Sequence, residues 1–208
     1  MPRDGLVKTV VAVDPAVTAS EESDETGIIA AAVSGPRRCP ACGPVDAPHA
    51  FVLEDRSCRE SYDVWARRAV ALYREVGADR LVAEKNQGGD LVEGTIRNVE
   101  RGISYESVWA KKGKALRAGP AAACYEQGRV HHVGSFPELE DQLTSWDPLD
   151  GKDSPDRLDA LVYALQALRM WVQEAPVSSA RLAAQRSLGP VGRPVVRVPG
   201  QGFGPRGL

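Results

Sequence analysis

The chain has 208 residues, 43% of them hydrophobic and 26% charged, which predicts one ordinary soluble domain, alone or with a tail, and a length sufficient to bury a core. Lys and Arg total 26 against 28 Asp and Glu, a formal net charge of -2, which excludes a bulk-basic nucleic-acid protein of the histone kind. A local basic patch stays open, because the field at a site depends on how charge is distributed and not on its sum. In chain order, Leu6–Val13 is rich in β-branched residues and predicts a strand, and Gly27–Val33 predicts a second that returns antiparallel to it. The polar stretch between them has no helical period and reads as a long functional loop. Residues 35–50 hold several Pro and Gly and predict another loop. Ala50–Glu54 predicts a third strand. Tyr62–Val76 carries apolar residues at helical spacing and stops at Gly77. Arg80–Glu84 predicts a fourth strand, Gly89–Arg101 a helix and Ser104–Trp109 a fifth strand. Lys112–Gln127 is mostly helical despite Gly113, Gly119 and Pro120, and Phe136–Trp146 is short and amphipathic. A last helix starts at Ser154-Pro155, with Ser as N-cap and Pro at the first helical position. Leu158, Leu161, Val162, Leu165, Leu168 and Val172 then form its apolar stripe.

This order predicts an α/β domain over residues 1–175. Its mixed central sheet has antiparallel first three strands, then parallel βα units, and is flanked by helices. Residues 176–208 are expected to be a disordered tail, because 189–208 are dense in Gly, Pro and Arg and hold no acids. No apolar run approaches the ~18 residues that span a bilayer. The N-terminal apolar stretch is too short, and too soon broken by Asp14, for a signal peptide, so the expected location is the cytoplasm. Four cysteines are too few for a disulfide scaffold, which predicts reduced thiols.

Three acids stand at the ends of elements. Asp14 follows the first apolar strand, Glu84 ends the fourth, and Asp156 lies in the first turn of the last helix with Asp159 three positions on, on the same helix face. Taken singly, each acid could be a turn or capping residue. Converging, they suit two-metal phosphodiester hydrolysis. Mg²⁺ takes a few carboxylates plus phosphate oxygens, and two ions about 3.5–4 Å apart clamp the attacking water and the leaving oxygen.

The segments VVAVDPA (10–16), SDETGI (23–28), VAEKNQGGDLV (82–92) and SPDRLDALVYAL (154–165) resemble the nuclease domain of bacteriophage and prophage large terminases, over about Val7 to Trp171. The resemblance implies a ribonuclease H-like fold and a DNA endonuclease that cuts concatemeric genomes during packaging, using two Mg²⁺ or Mn²⁺ ions in the cytoplasm of the bacterial host. It implies Asp14, Glu84 and Asp156 as catalytic metal ligands, with Asp159 as an additional ligand or a replacement for Asp156. Asp24 matches an acidic-loop Asp that supports those ligands from behind. Implied partners are double-stranded DNA, an ATPase motor domain, the portal and the small terminase subunit, with no membrane. Large terminases normally begin with an ATPase carrying a G-x-x-x-x-G-K-[ST] loop. Gly113-Lys114 lacks that context, since Ala115 follows it, so the expectation is a nuclease part without its motor, as an excised domain or the product of a split gene.

The densest basic run holds Lys111, Lys112, Lys114 and Arg117, which read either as a solvated helix face or as phosphate contacts beside the metals. Arg157, next to Asp156, is another candidate phosphate contact. Asn86, Gln87, Gly88 and Gly89 follow Glu84 as a close-approach loop or a tight turn, and Arg193, Arg197 and Arg206 could bind DNA loosely. Cys39 and Cys42 form one C-x-x-C with His49 and Cys58 nearby. That falls short of a paired C-x-x-C framework for zinc, and a loop insertion with free thiols is the expectation. Cys124 reads as core, and His131 and His132 lack a Ser or Cys partner for a hydrolase triad. The alternatives are a resolvase- or transposase-like nuclease of the same fold, a nucleotide-binding protein of the actin and sugar-kinase type, and an inactive DNA-binding or docking module. The actin-type reading needs a second Gly-rich phosphate loop, which is not found.

Overall fold

The computed structural model describes residues 5–15, 25–84, 89–108, 114–148, 150 and 154–171. Its strands are β1 (Leu6–Asp14), β2 (Gly27–Ser34), β3 (Arg38–Cys39), β4 (Gly43–Pro44), β5 (Ala50–Asp55), β6 (Arg80–Glu84), β7 (Tyr105–Val108) and β8 (Val130–His132). Its helices are α1 (Tyr62–Glu75), α2 (Gly89–Val99), α3 (Lys114–Glu126), α4 (Pro137–Ser145) and α5 (Asp156–Ala167). Six strands form one sheet in the order β7-β6-β1-β2-β5-β8. The chain starts as an antiparallel meander of β1, β2 and β5. It then adds β6 parallel to β1, β7 parallel to β6 and β8 parallel to β5.

Side chains alternate across a strand, so each strand feeds two cores. Val10 and Ala12 of β1, Ile29, Ala31 and Val33 of β2, and Val82 of β6 join α5 in one layer. Val11, Val13, Ile28, Ala30, Leu81 and Ala83 join α1 and α2 in the other. Because both faces are covered, β2 is buried at every position and reads as a continuous apolar run rather than an alternating one. Trp65, Ala66, Ala69, Val70 and Leu72 form the buried stripe of α1. That helix stops as its sequence predicts: Val76 is the C-cap, and Gly77 takes φ +54° and donates its amide to the Arg74 carbonyl.

Several expected boundaries move. The 35–50 loop contains a small ladder, with Arg38 opposite Pro44 and Cys39 opposite Gly43. β8 is a sheet strand, a short segment whose partner β5 lies far back in the chain. In α5 the N-cap is Pro155 and the helix begins at Asp156, so Ser154 lies one position outside the cap. The stripe ends at Leu168, because Arg169 adopts φ 58° and the Met170 amide turns back to the Leu165 carbonyl. Trp109, Val172 and the expected 176–208 tail lie outside the described residues. Among the described residues no helix is long and apolar enough to cross a membrane.

Candidate active site

Pairing of β1 with β6 builds the floor of the site. Val13 sits opposite Ala83 on these parallel strands, which places the next residues, Asp14 and Glu84, side by side at neighbouring strand ends. Strands in a sheet lie about 4.8 Å apart. By the alternation that sends Ala12 and Val82 toward α5, Asp14 and Glu84 point to the same layer. α5 packs across β1, β2 and β6 and brings Asp159 to that face. The three carboxyl-bearing residues are only 9%, 6% and 2% exposed.

Burial of carboxylates demands partners, and Arg117, Tyr163 and Ser154 are among those that supply them. The guanidinium of Arg117, on α3, lies 3.6 Å from Glu84 Oε1 and donates from the same Nη1 to the Tyr163 hydroxyl. Its Cζ stands 5.2 Å from the centroid of the Tyr163 ring. Burial works against the charge on Arg117, yet Tyr163, Asp159 and Glu84 outweigh it and hold the group protonated. Tyr163 in turn is pushed far above the ordinary phenol range by burial first, then by the Asp14 charge and by its hydrogen bond to Glu84. Ser154 Oγ donates to Asp159 Oδ2, so the residue displaced from the cap orients the acid one turn into the helix. Tyr163 and Ser154 are additions to the residues expected from sequence. Tyr163 was legible in principle, because it follows Asp159 by four residues on one helix face.

The other expected residues fall into three groups. Asp156 is half-buried in the first turn of α5, beside its N-terminus. Arg117 and Arg157 are both engaged inside the protein. Arg157 donates to both Glu25 carboxylate oxygens at 2.8 and 2.7 Å and to Asp55 Oδ2 at 2.6 Å. The Glu25 and Asp55 pair holds its guanidinium charged against the opposing effect of burial. It thereby ties α5 to β5 and to the segment entering β2. Asp24, Asn86, Gln87, Gly88, Lys111, Lys112, the Lys114 side chain, Arg193, Arg197 and Arg206 lie outside the described residues. His132 bridges the Tyr125 hydroxyl and Glu140 rather than a nucleophile.

The donor set suits hard divalent cations. Three buried carboxylates share this face of the sheet with one guanidinium, which leaves the site acidic, and oxygen-only ligands match Mg²⁺ and Mn²⁺. Asp14, Glu84 and Asp159 are the residues that could hold such ions.

Residues 11–168 match the terminase RNaseH-like domain family. No curated protein matches the chain. Solved structures with the same fold include the human cytomegalovirus terminase nuclease domain, determined with manganese and an inhibitor, at 15% identity and a TM-score of 0.53, covering 82% of this chain and 90% of that one. The nuclease domain of the large terminase subunit of bacterial virus Sf6 aligns at 13% identity and a TM-score of 0.52, covering 81% of this chain and 90% of that one. The large terminase nuclease of a thermophilic phage, with bound magnesium, aligns at 14% identity and a TM-score of 0.53, covering 76% and 80%. At these identities the likeness shows the fold, a ribonuclease H-like mixed sheet flanked by helices. The family match spans most of the sequence, and the chain belongs to the terminase ribonuclease H-like domain family.

Proposed function

We propose that this chain is a Mg²⁺- or Mn²⁺-dependent endonuclease that cleaves double-stranded DNA, acting as the nuclease part of a phage packaging terminase on concatemeric genomes. The observation that carries this reading is the β1–β6 register, Val13 opposite Ala83, which sets Asp14 and Glu84 together on the face that α5 covers with Asp159. Membership of the terminase family and the metal-bound relatives support it.

Asp14, Glu84 and Asp159 hold the metals in this reading. Bound there, divalent ions supply an activated water and charge stabilisation for in-line phosphodiester hydrolysis. Ser154 fixes the orientation of Asp159, and the Tyr163 hydroxyl that of Glu84. Arg117 balances part of the negative charge before DNA arrives, and its buried Nε has no hydrogen-bond partner among the described residues. Asp156, at the N-terminus of α5, favours the helix dipole and stands one turn from Asp159. Lys111, Lys112 and Lys114 precede Arg117 and supply backbone contacts to DNA. Arg157 carries no substrate role in this reading, because Glu25 and Asp55 occupy it. The ATPase motor, portal and small terminase subunit are the partners this function requires.

The test is plasmid cleavage by the purified chain. With Mn²⁺ or Mg²⁺ the protein nicks and linearises supercoiled DNA, chelation stops the reaction, and Asp14→Ala abolishes it. Undiminished cleavage by Asp14→Ala rejects the metal assignment. Branched DNA cut far better than linear duplex points to a resolvase-like enzyme instead.

A further inference from the structure

We propose that Cys39, Cys42, His49 and His131 form a tetrahedral structural Zn²⁺ site that clamps the 35–49 insertion onto the β8 edge of the sheet. Sequence alone placed Cys58 in this neighbourhood and left His131 without a cysteine partner. Cys58 is instead buried in the α1 layer and does not belong to the group of four clustered ligand atoms. The pairing of β8 with β5 sets His131 opposite Phe51, two residues past His49, and so delivers the fourth ligand from 89 residues beyond Cys42.

The ligand atoms already stand near coordination spacing. All four lie within 4.8 Å of one another. His131 Nε2 is 3.5 Å from Cys39 Sγ and 3.5 Å from Cys42 Sγ. His49 Nδ1 is 3.8 Å from Cys42 Sγ and 2.9 Å from His131 Nε2. Zinc bonds of about 2.3 Å to sulfur and about 2.0–2.1 Å to nitrogen, at tetrahedral angles, require about 3.6 Å between sulfur and nitrogen and about 3.3 Å between the two nitrogens. The three sulfur–nitrogen distances meet that requirement, and the nitrogen pair is slightly tight.

The surroundings are those of a thiolate site. The backbone amides of Ala41 and Cys42 both point at Cys39 Sγ from 3.4 Å, which stabilises a negative sulfur. All four cysteines are unbridged, so both thiols of the pair are available. The imidazoles are held in place. The His49 backbone amide donates to Ser34 Oγ, and its carbonyl accepts from the Ser34 amide. His131 stacks between Phe51 and His49, with ring centroids at 4.9 and 5.1 Å. Cys39 and His49 are buried and Cys42 is exposed, which leaves a path for the ion to enter.

Two thiolates and two imidazoles select zinc over the hard ions expected at the carboxylates. The four-ligand set is closed, with no position for water or substrate, so the site is structural. It also explains how a Pro- and Gly-rich insertion holds a two-residue ladder and covers a three-residue edge strand, neither of which is stable alone.

The test is metal analysis of the purified full chain, with Co²⁺ substitution and optical spectroscopy. Expected results are one zinc per chain that survives millimolar Mg²⁺, and a Co²⁺ derivative with tetrahedral visible bands and thiolate charge-transfer absorption. The zinc content falls to near zero in Cys39→Ser with Cys42→Ser and is unchanged in Asp14→Asn. If the cysteine variant fails to fold, the wild-type protein still decides. Thiol modification then releases the zinc to a colorimetric chelator, and hydrogen exchange speeds up at 35–50 and 130–132 while α5 stays protected. Zinc retained after loss of both cysteines, zinc displaced by Mg²⁺, iron in place of zinc, or a Co²⁺ spectrum without thiolate absorption overturns the proposal.

Discussion

A Cβ built on Gly27 would stand 2.1 Å from the backbone carbonyl oxygen of Asp156, so β2 and the first turn of α5 touch through the missing side chain. Gly27 also pairs with Asp14 across the β1–β2 ladder. One residue therefore sets both the strand end that carries Asp14 and the depth at which α5 presents Asp159. Gly27→Ala is expected to push α5 outward, to cost about 1–3 kcal/mol as overpacking does, and to weaken metal binding along with it. Gly94→Ala is the control. It lies in α2 with open space around it, and is expected to gain about 0.5–1 kcal/mol from helix propensity. Chemical denaturation and Mn²⁺ titration of both variants check this, and a Gly27→Ala protein as stable as wild type contradicts it.

The two acids of α5 are separable. Asp159 is nearly fully buried, bonded by Ser154 and felt by Arg117. Asp156 sits half-buried one turn earlier. Asp159→Asn is expected to abolish cleavage, whereas Asp156→Asn keeps it and loses about 0.3–1 kcal/mol of helix stabilisation. Ser154→Ala is expected to lower metal affinity about 10–100-fold, as loss of a group that orients a ligand does. Calorimetric Mn²⁺ titration and plasmid cleavage on the three variants measure this, and reversed roles for Asp156 and Asp159 would move the third ligand.

Arg117 is the counter-charge of the site. Arg117→Met removes it and leaves Glu84, Asp159 and Asp14 to repel one another, at an expected cost of about 3–5 kcal/mol in metal-free protein. Divalent metal restores much of that loss, because an ion bound to the native state stabilises it by mass action. The gain in melting temperature on adding Mn²⁺ is therefore larger for the variant than for wild type. Equal gains in the two proteins would show that Arg117 does not compensate these carboxylates.

Glu140 ties α4 to β8. It accepts from the Phe136 amide at 3.2 Å and meets His132 Nδ1 at 2.9 Å. The His132 hydrogen bond first, and the Phe136 amide second, hold its carboxyl below the ordinary glutamate value. A depressed carboxyl pKa gives stability that is present above the unfolded-state value and is lost as pH falls through the folded-state value. Wild type is expected to melt higher than Glu140→Gln at neutral pH, with the two curves converging in acid below the usual glutamate range. A gap that persists or widens there reverses the sign.

The amino-acid sequence by itself determined β1, β2, β5, β6 and β7, most of the helices and the acids at their ends. Alternation and helical period are local, and the runs 6–13, 27–33, 80–84 and 158–168 carry them without help from the rest of the chain. Only the tertiary structure decided which of those ends meet. The Val13–Ala83 register joins Asp14 to Glu84 across 70 positions, and the contact between Gly27 and the Asp156 carbonyl fixes where α5 lies. Arg117 read as a phosphate contact because a basic run looks the same whether it faces solvent or a buried carboxylate. The Cys and His residues read as loop residues for the same kind of reason. His131 lies too far along the chain for spacing to reveal it, and the β5–β8 pairing that brings it to Cys39 depends on backbone hydrogen bonds across the sheet edge.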